Sequence, residues 1–174
     1  MRYYYTDKEK EQLIKSIEII VDTREKNNSH LLNWFDKHHI NCINKSLKSG
    51  DYSFYINKNP ELGINMPIYF DNDIMIKRKA SLDELSANLS QNRDRFEKEF
   101  AIYHGKKYLL IENSLYEDII LHKYTTQFTP KSYLASLHTF NHRYGIQLMF
   151  MPDKRYSAIW IYMTFVYWIK NIIR

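Results

Sequence analysis

Three stretches of this chain put acids and cations where a β-strand would end. Asp22, Arg24 and Glu25 follow the apolar run Ile17–Val21, Gly50 and Asp51 precede the alternating segment Tyr52–Ile56, and Lys77, Arg78 and Lys79 follow residues 74–76. Carboxylates gathered at neighbouring strand ends supply hard oxygen ligands for Mg²⁺. A lysine beside them can orient a water or steady developing negative charge. That set of groups suits metal-assisted hydrolysis of a phosphodiester. The third stretch, IMIKRKASLDEL over residues 74–85, runs from apolar strand through three cations to Ser81, with Glu84 three residues on. The Ser81–Glu84 spacing is a capping-box signature, so a helix starts at the cationic tip and its N–H groups also face an anion there. Taken alone, such a tip is also what a solvated basic surface looks like; the upstream carboxylates give it its chemical sense.

Composition sets the bounds. At 174 residues, 44% hydrophobic and 26% charged, the chain is expected to bury one core and to form one domain. Twenty-five cations against twenty anions leave a net charge of +5, which favours a polyanionic partner. A single cysteine, Cys42, excludes an intrachain disulfide and a multi-cysteine zinc site. The first twelve residues carry no apolar signal region, and the most apolar stretch, residues 158–169, is too short for a bilayer of roughly 30 Å. A soluble cytoplasmic protein without membrane insertion is expected.

The elements that must position the charged tips follow from periodicity. Residues 1–16 read as a loose arm or short helix, and residues 17–174 as the domain. After the first strand, Ser29 caps a helix carrying Leu31, Trp34, Phe35 and His38 on one face. Strands are expected at 40–47, Tyr52–Ile56 and 74–76, with a hairpin excursion over 57–72. A long helix spans 81–104, with the polar run 90–94 as the place where it bends or breaks. Then come a strand at 108–111, a short helix at 116–121, a helix from Pro130 to Tyr144 closed by Gly145, and a strand at Ile146–Met151. The last helix, 156–173, is apolar nearly all round, which predicts burial against its own domain and a second subunit. A homodimer with Trp160, Phe165 and Trp168 among its contacts is expected. The order gives one α/β domain with a central mixed β-sheet flanked by helices.

These motifs, in this order, resemble the nuclease domain of the XPF/ERCC4 type, a branch of the PD-(D/E)xK, restriction-endonuclease-like nucleases. That family's pattern is an apolar strand with VDxRE, then GDY, then an ERK triplet with an aspartate four residues after its lysine. Here IIVDTREK stands at 19–26, GDY at 50–52 and KRKASLD at 77–83, followed by a helix with Arg93, Arg95 and Phe96. The match covers roughly residues 17–100; the remainder, from LLIEN at 109–113 through PKSYLASL at 130–137, looks like short phage-borne members without a helix-hairpin-helix domain. For a phage product the compartment is the host cytoplasm.

The resemblance implies Asp51 as the central ligand of Mg²⁺ or Mn²⁺, Asp22 and Glu25 as supporting carboxylates and Lys79 as the catalytic lysine. Arg78 and Asp83 become electrostatic partners, with Asp73 or Glu112 as further carboxylates within reach. Arg24, Lys77, Arg78, Lys79, Arg93 and Arg95 are the candidate DNA-binding cations. The departure is Lys77, which stands where the family has a metal-ligating glutamate. Two readings follow: a metal-dependent endonuclease for branched, flap or junction DNA, or a catalytically degenerate DNA-junction binder or interaction module on the same fold. His138 and His142 at i, i+4 read as surface or packing histidines, since Thr139 stands at the glutamate position of a zinc helix. Asp71 and Asp73 read as a solvated turn, and His38–His39 as a frayed helix end.

Overall fold

The computed structural model describes residues 4–173. Helix α1 (Asp7–Lys15) opens with a reciprocal capping box between Thr6 and Glu9 and buries Leu13. Strand β1 (Ile17–Val21), helix α2 (Ser29–Lys37), β2 (Cys42–Asn44) and β3 (Tyr52–Ile56) follow. A 3-10 turn at Pro60–Leu62 and strand β4 (Ile68–Tyr69) form the excursion back to β5 (Ile74–Lys79). Then come α3 (Leu82–Leu89), α4 (Arg93–Ala101), β6 (Lys106–Glu112), α5 (Tyr116–Ile120), α6 (Pro130–Tyr144), β7 (Ile146–Met151) and α7 (Ser157–Ile172).

The strands make one seven-stranded mixed sheet in the order β2-β1-β3-β5-β6-β7, with β4 paired to β3. β1 runs parallel to β2 and antiparallel to β3, while β5, β6 and β7 are mutually parallel. Side-chain alternation sorts the two layers. Ile74 and Ile76 enter the core shared with Phe35 of α2 and Phe165 of α7, whereas Met75 enters the one shared with Leu85, Phe100, Tyr133 and Phe140. Each such fully buried side chain contributes about 1.5–3 kcal/mol, so the alternation fixes which face of β5 meets which helices.

The helix over 81–104 does break in its polar run, as expected, at 90–92, where Ser90 Oγ turns back to the Ser86 carbonyl at 2.7 Å and Asn92 N donates to the Ala87 carbonyl at 3.0 Å. Other local expectations need correction. The strand over 40–47 keeps only three residues, since the chain beyond it turns to bring Leu47 N onto Asp22 Oδ2 at 2.7 Å. Asn28, not Ser29, holds the cap position of α2, and its amide donates to Tyr52 OH instead. Ser81 caps α3, yet Glu84 does not complete the box; its carboxylate takes the Ala80 N–H and the Lys79 ammonium.

Helix α7 spends Phe165 and Trp168 inside its own domain. Phe165 stacks on Phe54 at 4.9 Å, and Trp168 meets Phe54 and Phe70 edge-on. Trp160 sits edge-on to Tyr108. The outward stripe is Ile159, Met163 and Tyr167. Among the described residues no helix is long and apolar enough to cross a membrane.

Candidate functional site

Strand directions bring the three charged stretches to one edge of the sheet. β1 ends where its antiparallel neighbour β3 begins, so Asp22 N donates to the Asp51 carbonyl at 2.8 Å. β5 is antiparallel to β3 and ends at the same edge, where Asp51 N donates to the Ile76 carbonyl at 2.9 Å. Gly50 makes this approach possible. Its φ is +81°, and a Cβ there would stand 2.9 Å from Met75 Cβ.

Between these tips and α4 lies an open cleft of about 360 Å³. Seven cations line it (Arg24, Lys48, Lys77, Arg78, Lys79, Arg95 and Lys98) against four acids, Glu25, Asp51, Glu84 and Glu99. Helix α4 contributes Arg95, Lys98 and Glu99, and its C-cap Ile102 extends the same i, i+3, i+4, i+7 face. Sequence reasoning overlooked Lys48, Lys98 and Glu99. The helical spacing was the available signal for the last two, but the apolar positions Phe96 and Phe100 on the other side dominate the pattern.

At the centre, Lys77 Nζ donates to Asp51 Oδ1 at 2.7 Å and to Glu99 Oε1 at 3.1 Å. Asp51 Oδ2 accepts from Arg78 N at 2.8 Å, and Glu99 Oε1 from Gly50 N at 2.9 Å. Burial opposes the charge on Lys77, but the carboxylates of Asp51 and Glu99 hold its pKa above the usual lysine value. The ammonium is thus charged at neutral pH.

Arg78 points to the other side of β5, as alternation requires. Its guanidinium donates to Glu25 Oε1 at 2.7 Å and to the Asn27 carbonyl at 3.2 Å, and pairs with Glu112 Oε2 at 2.9 Å. His30 Nε2 lies 2.9 Å from the other Glu112 oxygen, and Tyr52 OH donates to Glu25 at 3.1 Å. Burial, then the Asp51 charge, pushes the Glu25 carboxyl up, against Arg78 and Tyr52. Glu112 is therefore a buried brace behind the cleft, tying β6 to β5 and α2.

Asp22 braces the front. Its oxygens accept from Arg24 N and Nε at 2.8 Å each, from Arg24 Nη2 at 3.1 Å and from Leu47 N at 2.7 Å. Those four bonds use the acceptor capacity of a carboxylate. Other expected residues lie elsewhere. Asp83 accepts from Thr125 N and Oγ1 at 2.7 Å and pins the loop before α6. Arg93 bonds Ser136 and lies over the Phe140 ring, so it joins α4 to α6 and does not line the cleft. Asp73 precedes β5, at the opposite end from the cationic tip. Lys79 does line the cleft, held by Glu84 at 3.0 Å and lying 5.3 Å from the centre of the Phe96 ring. His138 meets Tyr116 OH at 2.8 Å and stacks beside His142.

No group of three or more His, Cys, Asp or Glu side chains among the described residues is arranged to hold a metal ion. The donors explain it: Asp22 is saturated, Glu25 faces Arg78, and Asp51 and Glu99 share the Lys77 ammonium. As arranged, these residues do not fit Mg²⁺ or Mn²⁺.

The mixed sheet flanked by helices matches the fold of XPF nuclease domains. "XPF from Aeropyrum pernix" superposes with a TM-score of 0.61 at 19% identity, over 85% of this chain and 59% of that one. "XPF from Aeropyrum pernix, complex with DNA" gives 0.62 at 18% identity, over 88% and 65%. The chain thus spans less than two thirds of the length of those relatives. A search of curated protein sequences found no match. The ERCC4 domain model matches residues 21–164, and the chain belongs to that family.

Proposed function

We propose that the cleft grips the phosphate backbone of branched DNA, at a flap, fork or junction, and that the chain is the DNA-engaging domain of a structure-selective system. The observation that carries this is one open cleft at the strand tips where seven cations outnumber four acids, with Arg95 and Lys98 exposed on its α4 side. Cations in excess over acids attract the phosphate backbone, whereas base reading needs an element inserted in a groove. Family membership supports the reading, as does the solved complex of the archaeal relative with DNA. Fluorescence anisotropy in EDTA with flap, fork, Holliday-junction and plain duplex substrates tests it. Tighter binding to the branched substrates is expected; equal or absent binding sinks the proposal.

A second reading is a Mg²⁺- or Mn²⁺-dependent endodeoxyribonuclease, favoured by Asp51, Glu25, Glu99 and Lys79 lining the same cleft. It requires Lys77 to leave Asp51. Incubating the same substrates with Mg²⁺, Mn²⁺ or EDTA separates the two: cuts that appear only with metal and vanish in Asp51→Asn establish the nuclease. We also propose that two copies pair across the outer stripe of α7.

A further inference from the structure

We propose that the Lys77 ammonium is the resident cation of the strand-tip site, bridging Asp51 and Glu99 in place of a divalent ion, so that the cleft holds DNA without metal. The half concerning DNA rests on the reading above; the half concerning the cation does not.

The geometry is that of a bridging cation. One nitrogen from β5 lies 2.7 Å from an oxygen at the start of β3 and 3.1 Å from an oxygen on α4. All three side chains are largely withdrawn from water, at 15% exposure for Lys77, 10% for Asp51 and 19% for Glu99. Both carboxylates are also held independently of Lys77. Arg78 N fixes the second oxygen of Asp51, and Gly50 N fixes the bridging oxygen of Glu99. The cradle is therefore built by backbone N–H groups, and the lysine fills it. An arriving divalent ion would meet an ammonium on the oxygens it needs, inside a site where screening by water is weak. Lys79 from β5 and Arg95 from α4, lining the same cleft, add to that repulsion.

The same geometry says what removing the ammonium should do. Lys77→Ala leaves two preset carboxylates, and Lys77→Glu leaves three acids around one point. Either should turn a metal-indifferent cleft into a metal-binding one.

Titration with Mn²⁺, read by the loss of free-ion EPR signal and by thermal melting, tests this without any activity assay. The wild type should show no binding and no Tm shift at millimolar Mn²⁺. Lys77→Glu should bind at least tenfold more tightly than the wild type with a raised Tm, and adding Asp51→Asn should abolish the gain. Circular dichroism checks that each variant is folded, and Lys77→Ala replaces Lys77→Glu if the latter is not. Tight Mn²⁺ binding by the wild type that disappears in Asp51→Asn would overturn the proposal, as would folded Lys77 variants that gain nothing. Anisotropy on the wild type completes the test: equal DNA affinity with EDTA and with Mn²⁺ supports a metal-free grip, and affinity appearing only with Mn²⁺ overturns it. Absence of DNA binding under every condition would defeat the DNA reading while leaving the Mn²⁺ result to judge the cation.

Discussion

Arg78 and Glu112, from the adjacent parallel strands β5 and β6, pair at 2.9 Å with side chains only 5% and 0% exposed. A buried pair of this kind adds little net stability over a well-packed apolar one, but losing one partner strands the other's charge. Glu112→Ala should therefore cost about 3–5 kcal/mol in urea unfolding. Because Arg78 also holds Glu25, the variant should loosen the cleft wall. A cost below about 1 kcal/mol, the range of exposed pairs, would show that Arg78 is compensated without Glu112.

DNA affinity should depend steeply on salt and little on sequence. Each phosphate neutralised contributes about 0.9 to the slope of log affinity against log salt on duplex DNA. Lys98→Ala and Arg95→Ala, on the exposed face of α4, should each lower that slope by about one while preserving the preference for branched substrates. Arg93→Ala should leave it unchanged, because Arg93 faces α6. A strong preference among junctions of identical shape and different sequence would contradict the backbone grip.

Acid stability should trace to Asp22 and Glu112. Burial pushes Asp22 up, yet the Arg24 side chain and the Leu47 and Arg24 N–H groups together hold it below its ordinary value. Burial likewise raises Glu112, and Arg78, Ser157 and His30 more than reverse it. A carboxyl whose folded pKa lies below its unfolded one stabilises the fold above about pH 4 and loses that contribution as pH falls through the folded value. Glu25 and Asp51, raised mainly by burial, act in the opposite sense. The informative quantity is thus the difference between wild type and Asp22→Asn. The variant should be less stable at pH 7, and the gap should close as pH drops from about 4 towards 2. A gap that stays constant with pH would assign the loss to packing.

Two copies should associate through α7. Ile159, Met163 and Tyr167 recur every four residues on its outer face at 43%, 38% and 54% exposure, with no partner layer of their own. Light scattering at micromolar concentration should give the dimer mass for the wild type and the monomer mass for Met163→Glu with an unchanged melting curve. A monomeric wild type would end the expectation.

The sequence by itself determined the elements and the order of their charged tips. Continuous apolar runs mark β1 and β5, alternation marks β3, and Pro130 and Gly145 bracket α6 because each suits only its own end of a helix. The motifs at Asp22, Gly50–Asp51 and Lys77–Lys79 could be read because each lies within a few residues of a strand end. Tertiary structure alone decided what these groups touch. Asp22 and Asp51 look equivalent in sequence, but the turn that delivers Leu47 N saturates the first and leaves the second facing the cleft. Glu99 lies 48 residues beyond Asp51, on a helix whose apolar stripe gives no hint of which strand its polar face will meet. Sequence shows that Lys77 is a cation; only the crossing of β3, β5 and α4 places it between two carboxylates. Partner choice for a long charged side chain is a matter of a few ångströms across elements far apart in the chain, and local pattern carries no such information.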